Sequence, residues 1–341
     1  MGRNKVVVIT GASSGIGRAT ALRFAKQKAH LVLASRRGTA LAALADECEA
    51  LGARAIAVPT DTSDEAQVDA LGQAAVSRFG RIDVWVNDAA ISVFSPFLEM
   101  PSDDFRRVID VNVMGYVYGS KAALRAMTTQ GSGVLINVAS IVGEIPQPYT
   151  APYGMSKAAV RALGVSLRQE LWITGQKKIR VSTILPATID TNFFQNSGNY
   201  TGREVVAMPP VYPADKVAKA IVDAAKAPRD EVTVGAAGKA MVHQHRLTPG
   251  PVEVQMAVQV EKTHLSRQNH VADTRGAIYE PRAGGEATVS GGWHGGRRFA
   301  VRRLLTWSVL AGAGVAAWRV LRASDAELPK RVTAALAKSA R

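Results

Sequence analysis

Residues 5–17 read KVVVITGASSGIG. From Val6 to Ile9 the run is entirely β-branched, the pattern of a short strand buried on both faces. Gly11, Gly15 and Gly17 then form a turn, and a helical pattern follows through Phe24 to Lys28. Glycine is needed where a side chain would block a close approach. A glycine-rich turn opening a helix leaves free N–H groups at the positive end of the helix dipole, a setting that suits a pyrophosphate. A glycine cluster alone is a weak signal. Its place, directly after the first strand of an alternating pattern, gives it weight.

The alternation continues along the chain. Apolar runs at 30–34, 53–58, 83–87, 133–138, 179–185 and 231–234 read as further strands. Helical patterns lie at 39–51, 64–79 (with Ser63 as N-cap), 102–110, 112–128, 153–174 and 214–227. Continuous apolar strands alternating with helices predict an α/β fold. It is a doubly wound parallel sheet of about seven strands with helices on both faces. This domain is expected over residues 1–250. Residues 251–297 read as an amphipathic helix, 252–265, followed by a glycine-rich irregular segment. Residues 298–341 read as a basic, apolar-centred part of a mostly helical C-terminal extension.

A 47% hydrophobic, 21% charged chain of 341 residues can bury a sizeable core. One cysteine, Cys48, allows no internal disulfide and is read as a buried, inert residue in a reducing compartment. The N-terminus shows no signal-peptide pattern, so a cytoplasmic location is expected. Net charge is +14, and residues 297–341 carry ten Lys/Arg against Asp325 and Glu327, a net of +8. The excess therefore sits in the tail, which points to an anionic surface rather than a basic globular domain. No zinc-ligand pattern or aromatic-interleaved basic motif marks a nucleic-acid module. His243, His245 and His264 lack metal-ligand company and are read as surface or packing residues.

The second strand ends Ala34-Ser35-Arg36-Arg37, with no acid to hold a ribose 2′-hydroxyl. Two arginines there suit a 2′-phosphate, so NADP(H) is favoured over NAD(H), with Arg36 as the principal residue and Ser35 or Ser13 as helpers.

Residues 140–157, SIVGEIPQPYTAPYGMSK, carry the chemistry. Tyr153 and Lys157 stand at i and i+4, on one helix face. An ammonium beside a phenol is expected to lower its pKa, and such a tyrosine can exchange a proton with a substrate oxygen. Ser140, at a strand end, can donate to the same oxygen.

Together these motifs resemble the short-chain dehydrogenase/reductase family over about residues 5–234. The resemblance rests on Thr10-Gly11-Ala12-Ser13-Ser14-Gly15-Ile16-Gly17, Asp61, Asn87-Asp88-Ala89-Ala90, Asn112, Ser140 and Tyr153-Gly154-Met155-Ser156-Lys157. It implies a Rossmann fold and hydride transfer between a carbonyl and a secondary alcohol. Tyr153 would be the general acid or base, with Lys157 lowering its pKa and bonding the nicotinamide ribose. Ser140 would orient the substrate oxygen, and Asn112 would hold a helix kink and a relay water. Cofactor contacts would come from residues 10–17 (Thr10, Gly11, Ser13, Ser14, Gly15, Ile16, Gly17) and from Ser35 and Arg36. Asp61, Thr62, Asn87, Ala89, Tyr153, Lys157, Pro186, Thr188 and Thr191 would add to them. A homo-oligomer is implied by the same analogy. The chain departs from the pattern at Asp88, Ala90 and Ala187, where the family usually has asparagine, glycine and glycine.

Substrate selectivity is expected from residues 144–152 and 191–212, whose aromatics suit an apolar substrate. Residues 304–318 are uncharged, or 304–321 if Arg319 snorkels. Three readings fit this stretch: a buried helix or subunit contact, an interfacial anchor, or a membrane span. A rival functional reading is an NADP-binding regulatory or structural protein at a membrane, with little turnover.

Overall fold

Val6, Val7, Val8 and Ile9 are each at most 1% exposed, as a strand with neighbours on both sides and helices above and below requires. The computed structural model describes residues 4–282 and 287–293. In it β1 (Val6–Thr10) is an inner strand of a parallel sheet with β2 (His30–Ser35), β3 (Arg54–Pro59), β4 (Val84–Asn87), β5 (Gly133–Val138), β6 (Ile179–Pro186) and β7 (Glu231–Val234). The strand order is β7-β6-β5-β4-β1-β2-β3, and all six pairings are parallel. The order reverses between β1 and β4, so a crevice opens there at the carboxyl ends of the strands.

Successive residues of a strand point to opposite faces. Val7 and Ile9 accordingly pack into one core with Phe24 of α1 (Gly15–Ala25), Leu41 and Leu44 of α2 (Gly38–Ala50), and Val217 and Ile221 of α7 (Ala214–Lys226). Val8 packs into the other core with Leu71 of α3 (Glu65–Phe79) and Ala123 of α5 (Gly115–Gln130). Leu167 of α6 (Ala151–Ile173) joins that second core from its edge. Asp83 ties β1 to β4. It is 6% exposed, accepts from Val6 N at 2.9 Å, and pairs with Lys5 at 2.8 Å and Arg81 at 2.9 Å.

The sequence reading places these elements closely, with four differences. Asp64, not Ser63, caps α3, accepting from the N–H groups of Ala66 and Gln67. Ser63 instead bonds the Asp61 carboxylate. Between α4 (Ser102–Ile109) and α5 the chain makes a π-helical turn, Asp110–Met114, so the two helices are one bulged rod. α9 (Pro249–Thr263) stands where a helix over 252–265 was expected, and a further helix, α8 (Ala236–Leu247), precedes it where none was read. Residues 265–270 (LSRQNH) form β8, paired antiparallel with the short strand Arg203–Val205. That run is polar, so its pairing had no apolar signature to announce it. None of the helices among the described residues is long and apolar enough to cross a membrane, and residues 304–321 lie outside those residues.

Behind the crevice lies a buried polar network. Trp85 Nε1 donates to Asn87 Oδ1 at 2.7 Å, and Asn87 Nδ2 donates to Asn137 Oδ1 at 2.9 Å. Gly119 of α5 makes room for it: a Cβ there would stand 2.2 Å from Asn87 Oδ1 and 2.9 Å from Trp85 Nε1. Gly119→Ala is therefore expected to lower the unfolding free energy by about 2–4 kcal/mol, through overpacking and a lost buried hydrogen bond. Urea unfolding measures it, and a change within about 0.5 kcal/mol would refute the account.

Candidate active site

The glycine turn is shaped by contacts that leave no room for side chains. Gly11 holds φ at +69°, and a Cβ on it would stand 2.8 Å from Ala89 N. A Cβ on Gly17 would stand 2.4 Å from the Gly11 carbonyl oxygen and 2.9 Å from Asp88 Oδ2. The first turn of α1 thus lies directly on the loop after β4. Thr10 braces that loop: its hydroxyl oxygen accepts from Asp88 N at 3.1 Å and Ala89 N at 3.3 Å. Ser14, the N-cap, makes no side-chain cap, so the helix end keeps backbone donors for something else.

A cleft of about 290 Å³ runs from this turn to the end of β6. It brings together Gly11, Ser13, Ser14, Gly15, Ile16, Ser35, Arg36, Asp61, Thr62, Ala89, Ser140, Tyr153, Lys157, Pro186, Thr188 and Thr191. Four predicted residues are not on its wall. Thr10 and Gly17 stand one layer behind, shaping the loop. Asn87, expected to line the cleft, is 1% exposed and spent on the Trp85–Asn137 network. Asn112 lies at the π-helical turn. Its Oδ1 accepts from Ile91 N, and its Nδ2 donates to Ile91 O and to Ser156 Oγ, all within 3.1 Å. A side chain clamping a neighbouring loop from inside the bulge is a physical cause for the kink.

At the deep end, Ser140 caps the turn after β5, accepting from Val142 N at 3.2 Å. Its own hydroxyl donates to Pro186 O at 3.5 Å, a long bond that a better acceptor would displace. Lys157 is 1% exposed. Its Nζ donates to Val138 O at 2.9 Å and to Tyr116 Oη at 3.2 Å, and lies 4.8 Å from the Tyr116 ring centre and 5.6 Å from that of Tyr153.

These positions correct the expected electrostatics. Burial pushes the Tyr153 phenol up, the Ser140 hydroxyl lowers it when it turns its hydrogen from Pro186 to the phenol oxygen, and the charge of Asp88 raises it again. Lys157 does not offset this, because burial pulls its own ammonium down to about 7, against the raising influence of Asp88. Asp88 is the reciprocal case. Burial pushes its carboxyl up to about 7, while Lys157 and the Gly17 N–H pull it down. Tyr116, one helical turn beyond Asn112, was missed from sequence; its i+4 spacing from Asn112 was the available signal.

The adenosine end is also more occupied than the motifs suggest. Asp61 is held below the usual carboxylate range. Burial opposes this, but the Arg107 guanidinium at 2.7 Å and bonds from Ser63 outweigh it. Arg37 bonds Ser13 Oγ at 3.1 Å. Arg36, expected to face a phosphate, donates to the carbonyls of Ala277, at 2.8 Å, and of Ile278 and Tyr279. Gly15 N donates to Thr288 O at 2.9 Å, and Arg18 Nε to Ala287 O at 2.6 Å. The glycine-rich segment read as irregular therefore lies along the cleft.

Its substrate side is apolar. Phe94, Phe193, Phe194, Met208 and Met256 line it with His264. The Phe193 ring lies 5.3 Å from that of Tyr153. His264, read from sequence as surface or packing, is 3% exposed and contacts Phe94 and Phe194 edge-on. Its Nδ1 bonds the Val206 carbonyl, which can only accept, so Nδ1 carries the proton. Burial pulls its pKa to about 4, leaving the ring neutral at pH 7. Ala187, where glycine was expected, keeps a negative φ.

The geometry agrees with three comparisons. The short chain dehydrogenase family matches residues 5–202. An uncharacterized oxidoreductase of Bacillus subtilis, YxnA, is 33% identical over 323 residues, covering 93% of this chain and 90% of the relative. Another, Lmo0432 of Listeria monocytogenes, is 35% identical over 68% of this chain and 96% of its own. Among solved structures, a short-chain dehydrogenase/reductase from Burkholderia phymatum in complex with NAD superposes with a TM-score of 0.64 at 30% identity. That match covers 74% of this chain and 95% of the other. An alcohol dehydrogenase from Thermococcus sibiricus complexed with 5-hydroxy-NADP gives 0.59 at 28% identity, over 68% of this chain and 96% of the other. With the parallel sheet, the glycine turn and a cleft joining it to Tyr153, these place the chain in the short-chain dehydrogenase/reductase family, as an oxidoreductase.

Proposed function

We propose that the enzyme interconverts a carbonyl compound and a secondary alcohol, with NADP(H) preferred as the hydride partner. The observation that carries this reading is the convergence of Ser140, Tyr153 and Lys157 on one end of a cleft whose other end is a glycine turn flanked by Arg36 and Arg37. A bound nicotinamide would supply or accept the hydride. The remaining steps belong to the chain. The Ser140 hydroxyl, weakly held by Pro186, turns its hydrogen to the substrate oxygen. Tyr153 passes its proton to that oxygen in reduction and takes it back in oxidation. Lys157, fixed by Val138 O and Tyr116, lies beside the phenol and stabilises negative charge on it whenever it is itself protonated. The Phe94, Phe193 and Phe194 rings exclude water and favour an apolar substrate. The chain divides at about residues 250 and 297 and self-associates, with the exposed Met155, Trp172 and Ile173 of α6 as apolar contacts, and light scattering tests the self-association.

Tyr153→Phe is expected to reduce turnover by about 10²-fold or more while NADPH binding stays nearly unchanged. Steady-state rates beside fluorescence titration measure both, and retained turnover would remove Tyr153 from the mechanism. Arg36→Glu is expected to weaken NADPH at least about tenfold more than NADH, the worth of a charge-assisted bond. Equal loss for both dinucleotides would sink the cofactor preference.

The pH dependence follows from Asp88. Burial disfavours the protonated form of Lys157, and the negative charge of Asp88 favours it. Asp88→Asn removes that charge, so Lys157 gives up its proton at lower pH. The neutral-range limb of the kcat/KM profile should move to lower pH than in the wild type. A limb that stays put, or moves up, would show that Asp88 does not govern Lys157.

A further inference from the structure

The cleft proposed for the dinucleotide also holds the glycine-rich segment that follows β8, with Ala277, Pro281 and Arg282 on its wall and Thr288 bonded to Gly15. Residues 274–282 and 287–293 run along the cleft, and each limb is anchored by side chains outside the proton-transfer group. In the first limb Ile278 is fully buried against Val93 and Val108. Tyr279 Oη donates to Asp104 at 3.1 Å, a carboxylate 0% exposed that also accepts from Tyr200 at 2.5 Å. In the second limb Asp190 accepts from Ser290 Oγ at 2.6 Å, from Gly291 N at 3.0 Å and from Trp293 N at 2.8 Å. Trp293 Nε1 donates to Thr191 O at 3.1 Å.

What these anchors present to the cleft is a row of backbone carbonyls. Thr288 O takes the Gly15 N–H, and the carbonyls of 277–279 take three hydrogen bonds from Arg36. Those are the donors that would hold a pyrophosphate and a 2′-phosphate. We propose that residues 274–282 and 287–293 act as the two limbs of an intramolecular strap whose carbonyls stand in for the cofactor's phosphate oxygens. Dinucleotide entry then requires the second limb to leave Gly15, and strap release sets the rate of cofactor exchange. This rests on the dinucleotide reading above. Without it the guanidinium and the helix N-terminus would be left to water, and the strap satisfies both directly. A phosphate makes charge-assisted bonds to the same groups, about twice as strong as those to neutral carbonyls, so it can win the exchange.

Two measurements test the strap. In hydrogen exchange of the wild-type chain, saturating NADPH should speed exchange across residues 287–293 several-fold. The double variant Ser290→Ala/Trp293→Ala removes two side-chain anchors and leaves Asp190 its two backbone donors. Its NADPH association rate, followed by nicotinamide fluorescence, should rise about tenfold, the worth of two ordinary hydrogen bonds. Slower exchange in 287–293 with NADPH, or an unchanged or reduced association rate, overturns the strap. The wild-type exchange result decides alone if the variant does not fold. Failure of the wild type to bind either NADPH or NADH overturns the dinucleotide reading and the strap with it. Binding without these changes overturns the strap only.

Discussion

Two missing Cβ atoms set the geometry of the site. Gly17 packs its α-carbon so close to the Gly11 carbonyl that any side chain would overlap it, and Gly11 lies as tightly on Ala89. This lets the first turn of α1 rest on the loop after β4, at the point where strand order reverses. Three consequences follow. The helix end is held over the crevice with its first backbone N–H groups directed to Thr288 and Asp88. Thr10 is turned into a brace for residues 88 and 89. And Asp88 is pressed against the Gly17 N–H, facing Lys157 across the cleft. A turn loose enough to admit alanine would separate all three.

The proton-transfer group is less of an activated tyrosine than its i,i+4 spacing suggests. An ammonium lowers a neighbouring phenol's pKa only if it is itself charged and close to the oxygen. Here Lys157 points to Val138 O and Tyr116, and burial opposes its charge. Asp88 partly restores that charge but also disfavours a phenolate at Tyr153. The two buried groups of opposite type are thus each drawn toward neutral pH from opposite sides, and they titrate as a pair rather than singly. A site of this kind keeps Tyr153 protonated. The neutral His264 and the phenylalanine rings place apolar surface beside it.

Most of the sheet was legible because its inner strands are buried on both faces and read as apolar runs between helices. β1 and β5 are clear cases. The glycine turn and Tyr153–Lys157 were legible because spacing alone fixes their faces. Other features depend on partners far away in sequence. Ser63 and Asp64 are both good caps by composition, and the choice was made by Asp61 and Arg107 drawing Ser63 away. Asn87 reads as a cleft residue, but Trp85 and Asn137 claim it from behind. β8 is polar, and its register comes from pairing with residues 203–205 rather than from its own pattern. Arg36 is the sharpest case: two arginines at a strand end predict a phosphate, and nothing local says that carbonyls some 240 residues later already occupy one of them.

That occupation changes how cofactor binding should be viewed. Lying along the cleft, residues 277–279 and 288 give the Arg36 guanidinium and the Gly15 N–H neutral oxygens as acceptors. Binding then exchanges one set of acceptors for another instead of filling bare donors. The net affinity is correspondingly smaller than the contacts alone would give, since only the difference between phosphate and carbonyl bonds remains. The same exchange gives the cofactor-free and cofactor-bound forms different outer surfaces along residues 274–282 and 287–293. Anything that recognises that segment in one state alone would be coupled to the dinucleotide by the same free energy.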